Sequence, residues 1–148
     1  MSKIYTFLII VPLIAIFFFK ATAFYEYDTK QRYIKNLVDN SAHKVMITGV
    51  MTESDREELL VKLQKLSDFK EGDISLKCGK IQSDGSISNL DSYIPGNVLS
   101  RGEVFSIYVQ SKDESTVSKI EDETPDSNSK LFFKAKAICR VEKRLEEE

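Results

Sequence analysis

The chain has 148 residues, 42% of them hydrophobic and 30% charged, with a net charge of −2. That composition suits a globular protein, and collagenous and repeat architectures are set aside; without a large basic field, nucleic acid is not an expected partner. Once the apolar N-terminus is set aside, enough chain remains for one compact domain but not comfortably for two.

The first element is the uncharged stretch Ile4 to Phe19, flanked by Lys3 and Lys20 and interrupted only by Pro12. At about 1.5 Å per residue it reaches about 24 Å, short of the roughly 30 Å hydrocarbon core. Continuation through Ala21, Ala23, Phe24 and Tyr25 makes a transmembrane anchor over residues 1–25. Lys20 then lies at an interface, with Tyr25 and Tyr27 as aromatic anchors. The same residues fit a signal peptide, whose A-T-A at Ala21 to Ala23 would be cleaved before Phe24 to release a secreted chain. Membrane lipid is the first expected partner, and both fates of the segment stay open.

From Tyr25 to about Met46, apolar residues recur at Ile34, Leu37, Val38, Ala42, Val45 and Met46, which predicts an amphipathic helix. No Gly or Pro occurs between Pro12 and Gly49, so the apolar segment and this helix read as one rod. Thr52 and Asp55 predict a capping box that opens a second helix, with Leu59, Leu60, Leu63 and Leu66 along one edge. Its acidic start, Glu53, Asp55, Glu57 and Glu58, fits the positive end of the helix dipole better than catalysis.

Period-two alternation begins at Asp73 to Ile81, with Ile74, Leu76 and Cys78 on one face. Asp84-Gly85 predicts a hairpin turn, with Ser86 to Leu90 as a return strand, and Asp91 to Gly102 reads as loop. Glu103 to Gln110 and Leu131 to Val141 predict two longer strands. Between them, Ser111 to Lys130 is polar enough to read as an exposed, mobile hairpin loop. The sum is an α+β class: a long N-terminal helix, one short helix and an antiparallel sheet of three to four strands, the head occupying residues 26–148.

Cys78 and Cys139 both fall on apolar strand faces. They could form a disulfide if their strands are neighbours, or stay as buried thiols. With two cysteines and one His, a zinc site lacks ligands, and no metal or cofactor is expected. His43 lies beside the helix stripe without a nucleophile or carboxylate at motif distance. No catalytic motif is present, and the chain does not read as an enzyme.

Four segments carry a resemblance: A-H-K-V-M-I-T-G-V at Ala42 to Val50, E-E-L-L at Glu57 to Leu60, D-I-S-L at Asp73 to Leu76 and E-V-F-S-I-Y-V at Glu103 to Val109. Their order resembles TadE-like, pilin-like pseudopilins and an uncharacterised family of small Gram-positive membrane proteins associated with Tad-like pilus or conjugation gene sets. The resemblance implies a structural role in a surface filament, secretion or conjugation apparatus, with self-association or pairing with other pilin-like subunits. Leu8, Leu13 and Phe17 are the candidate membrane and assembly positions on the apolar helix. The alternative is a secreted or anchored binding module acting through the loops at Asp91 to Gly102 and Ser111 to Lys130. Orientation is contested: Lys20, Lys30, Arg32 and Lys35 favour a cytoplasmic head by the positive-inside rule, whereas the resemblance implies an extracytoplasmic head on a single-pass anchor.

Overall fold

The computed structural model describes residues 2–82, 85–87, 90–121 and 130–142. One helix, α1 (Ser2–Thr48), runs without interruption from the apolar segment into the head. Pro12 lies inside it, where its missing N–H leaves one carbonyl of the preceding turn without its helical donor. The helix ends at Gly49, whose φ of 72° suits a residue without Cβ and whose N–H bonds to the Val45 carbonyl at 2.8 Å.

The second helix, α2 (Glu53–Gln64), starts from the capping box read in the sequence: the Asp55 N–H donates to Thr52 Oγ1 at 3.2 Å, and the Thr52 N–H donates to Asp55 Oδ2 at 3.1 Å. A single 3-10 turn, Glu71–Asp73, leads into β1 (Ile74–Lys80). The remaining elements are β2 (Asp91–Ser92), β3 (Glu103–Glu114), α3 (Thr116–Glu121) and β4 (Phe132–Arg140). The strands form one antiparallel sheet in the order β2-β1-β3-β4. The class is α+β.

α1 and α2 cover one face of the sheet. Ile34, Val38, Ala42 and Val45 are the buried stripe of α1, and Leu59 and Leu63 that of α2. They meet Leu76, Phe105, Ile107, Val109, Ala135 and Ala137 from the strands. β4 alternates buried and exposed residues from Phe133 to Ile138, as its sequence pattern requires. Tyr93, between β2 and β3, stands edge-on to Phe105 at 5.0 Å; its hydroxyl accepts from the Met51 N–H at 3.0 Å and donates to the Asn97 carbonyl at 2.5 Å.

Two sequence expectations need correction, and one open pair of readings is decided. Of the return strand read at Ser86 to Leu90, the described residues show a bridge between Ile81 and Ile87, Ser88 and Asn89 lying outside them; the strand that pairs with β1 on the side away from β3 is β2, inside the stretch read as loop. The segment read as a mobile loop at 111–130 is structured up to Glu121. β3 continues across a register shift to Glu114, and α3 follows, while 122–129 lie outside the described residues. Buried serines hold this part in place: Ser111 Oγ accepts the Phe133 N–H at 3.1 Å, and Ser118 Oγ accepts the Leu131 N–H at 3.2 Å.

The third point concerns the cysteine pair, for which a disulfide and two buried thiols were both open. Cys78 and Cys139 do share the helix-covered face, but both are free thiols, because β3 lies between their strands and both pair across to the same Phe105. Two strand spacings amount to about 10 Å, beyond the roughly 7 Å Cα separation that a disulfide tolerates. Cys139 donates instead to the Ala42 carbonyl at 3.2 Å, and burial pushes its thiol up to about 11.

Candidate functional site: the uncovered half of the N-terminal helix and its junction with the head

The large apolar side chains from Ile4 to Phe19 are 45% to 75% exposed, and Ala23 is the first residue of α1 that the head partly covers. One helix among the described residues is therefore long and apolar enough to cross a membrane, and its apolar part is bare. Such a segment is consistent with a membrane anchor or a signal sequence. Exposed apolar surface on this scale is unfavourable in water and marks contact with lipid or protein.

Leu8, Leu13 and Phe17 all lie in this bare segment and are exposed. They do not share one face. At about 100° per residue, Leu13 and Phe17 stand one turn apart on the same side, and Leu8 projects from the far side. A packed neighbour that uses Leu13 and Phe17 leaves Leu8 to lipid.

The junction is built from α1 side chains that cap the free edge of β4. The Tyr27 hydroxyl donates to the Phe132 carbonyl at 3.4 Å, and its ring stacks on Phe133 with centroids 5.1 Å apart. Gln31 acts as a surrogate strand rung, donating to the Lys134 carbonyl at 2.5 Å and accepting the Lys134 N–H at 3.3 Å. The Lys35 ammonium donates to the Lys136 carbonyl at 3.1 Å and also pairs with Asp39. Four helical residues rise about 6.0 Å and two strand residues about 6.6 Å, so positions 27, 31 and 35 match 132, 134 and 136. The contacts blunt an edge that would otherwise offer unpaired backbone groups to another chain. They also correct the role expected for Tyr27: it is a head contact, leaving Tyr25, which is exposed, for an interfacial position.

At the other end of the head, Lys44 ties α1 to the start of α2 through an ion pair with Asp55 at 2.5 Å, beside a cleft of about 220 Å³ that Leu37, Ser41, Glu58 and Lys62 also line. The Lys44 ammonium, with help from Thr52, holds the Asp55 carboxyl below its usual range. A depressed folded-state pKa contributes stability that is present above the unfolded carboxylate value and lost as pH falls through the folded one. Asp55→Asn is therefore expected to lower the urea midpoint at neutral pH, with the gap to wild type closing as pH drops through the carboxylate range. A gap that stays constant with pH would show that the charge on Asp55 is not what stabilises this corner.

The outer face of the sheet is unlike either feature. Lys77, Lys134, Lys136 and Arg140 are exposed there with Tyr108 and Ile138, and none of the four basic residues is ion-paired among the described residues. On α1 and α2, by contrast, Lys30, Arg32, Lys35, Lys44, Arg56 and Lys62 each have a carboxylate partner. The period-two alternation of the strands sets Lys134, Lys136 and Arg140, and likewise Lys77, opposite the apolar residues in the sequence itself; the strand order is what joins them into one face. His43 is exposed on α1, apart from the buried stripe.

Family models, curated proteins and solved structures were all compared with the chain, and none matches.

Proposed function

We propose that this chain is a membrane-anchored, pilin-like structural subunit that acts by assembly rather than catalysis, in a surface filament, secretion or conjugation apparatus. The bare half of α1 is held in lipid and packs against the same segment of neighbouring subunits, and the head stands on the extracytoplasmic side. The observation that carries the proposal is the continuity of α1: its bare apolar half and its head-packed half are one unbroken helix. Whatever fixes the lower half in an assembly therefore fixes the position and rotation of the head. The similarity in element order to TadE-like pseudopilins points the same way.

Crosslinking of the full chain in membranes is expected to give oligomer ladders. Polar replacements at Leu13 and Phe17 together should abolish them, while a polar replacement at Leu8 alone should weaken them less. A protein that stays monomeric at every crosslinker dose would overturn the proposal.

A secreted binding module is favoured by one feature of the junction. The possible cleavage site before Phe24 coincides with the boundary where head coverage begins, so cutting there would remove the bare segment and keep the contacts of Tyr27, Gln31 and Lys35. Its binding surface would be the basic sheet face, which has no ion pair among the described residues, facing an acidic partner. The intact mass of the mature protein separates the two: a chain that begins at Phe24 supports the secreted form, and an uncut chain in the membrane fraction excludes it.

A further inference from the structure

The length of the bare segment sets the height of the head. Residues 4–22 are exposed and reach about 28 Å, against a hydrocarbon core about 30 Å thick. With that segment across the bilayer, Ala23, the first partly covered residue, lies within about one helical turn of the boundary between hydrocarbon and headgroups. No stalk separates the head from the membrane.

We infer that the rim of the head around α3 is seated in the headgroup layer of the same bilayer, with lipid as its partner there; this rests on residues 4–22 spanning the bilayer. α3 is at the required level, since Thr116 and Val117 line a small hollow with Ala23, Glu26, Tyr27 and Lys30, and Val117 is buried. The same short helix leaves Ile120 42% exposed and Lys119 exposed. At the same level of α1, on sides turned away from α3, Phe24 is 51% and Tyr25 75% exposed, and Lys20 is exposed one turn nearer the bilayer.

The amphipathic Tyr25 ring, the apolar Phe24 ring, lysines with long apolar stems and an exposed isoleucine have little to gain in water, but together they suit the layer where hydrocarbon meets headgroups. The carboxylates nearest on α1 are compensated, Glu26 by Lys30 at 2.6 Å and Asp28 by Arg32 at 2.6 Å. Glu114, at the end of β3, is likewise paired with Lys130 at 2.6 Å. They therefore add little repulsion toward lipid phosphates.

The test uses the full chain at high lipid-to-protein ratio in vesicles of phosphatidylcholine and phosphatidylglycerol. In a Cys78→Ser, Cys139→Ala background, nitroxide labels are attached one at a time through Leu13→Cys, Ile120→Cys, Lys119→Cys and Val98→Cys, and collision rates with oxygen and with a water-soluble nickel chelate are read by electron paramagnetic resonance. Leu13 is expected to be shielded from nickel and rich in oxygen collisions, and Val98 to be fully aqueous. Positions 119 and 120 should fall between them, with nickel collisions several-fold below those at Val98 and oxygen collisions raised.

If 119 and 120 match Val98 while Leu13 remains lipid-shielded, the head is held off the membrane and the docking fails although the span stands. If 119 and 120 are shielded from both probes, protein rather than lipid covers them, and the docking again fails. A water-exposed Leu13 removes the span and the docking with it.

Discussion

Replacing Phe105 with alanine is expected to lower the stability of the head by about 3–5 kcal/mol, the range for deleting a fully buried aromatic side chain. Phe105 is 0% exposed and lies near the start of β3, an inner strand of the sheet, where Cys78 and Cys139 are its partners on the two flanking strands. Its ring also meets Tyr93 edge-on at 5.0 Å, and such pairs add about 0.5–1.5 kcal/mol beyond area burial. Because the Tyr93 hydroxyl ties the Met51 N–H to the Asn97 carbonyl, the cavity loosens the connection after α1 as well as the sheet. Urea unfolding of the full chain in detergent, followed by far-ultraviolet circular dichroism, gives the measurement. Phe105→Leu, which keeps most of the apolar volume, should lose much less. A loss below about 1 kcal/mol for the alanine variant would contradict the packing described for this core.

Placing aspartate at Val38 should have the other large effect, because it attacks the coupling of α1 to the head rather than the sheet itself. Val38 is 0% exposed in the stripe that seats α1 on the sheet, between Ile34 and Ala42. An unpaired carboxylate there costs several kcal/mol if it stays ionised, and burial raises its pKa instead. A raised folded-state pKa for an acid means that the penalty is greatest above that value and shrinks as pH falls through it. Val38→Asp should therefore be strongly destabilised at neutral pH and recover part of the loss in mild acid, the opposite sign to Asp55. Val38→Asn is the control: destabilised, but without the recovery. Urea midpoints of both variants between pH 7 and pH 4.5 decide it, and equal pH profiles would show that the site admits water.

Where the elements lie was largely legible from local patterns. α1 was readable because no Gly or Pro interrupts residues 21 to 48, and the start of α2 because Thr52 and Asp55 satisfy each other's backbone donors over three residues. The inward faces of β1, β3 and β4 followed from period two. α3 escaped because Val117 is the one large apolar side chain it buries among the described residues, and the segment is otherwise held by serine hydroxyls, Ser111 and Ser118 bonded to distant backbone groups and Ser115 to a nearby one, which leave no periodic signal.

The same division holds for the candidate site. An uncharged apolar run is a property of consecutive residues, so the sequence by itself determined that the N-terminal segment suits lipid, that α1 continues past it, and that Cys78 and Cys139 face the core. Tertiary structure decided the rest, because each remaining point depends on which distant strands meet. β3 comes between the two cysteine strands and forbids the disulfide; Gln31 and Lys35 reach the edge of β4; and coverage of α1 starts at Ala23, a span's length from Ile4. Strand order is set by the burial of whole faces against α1 and α2, a sum over contacts far apart in the chain, and no window of sequence contains that sum.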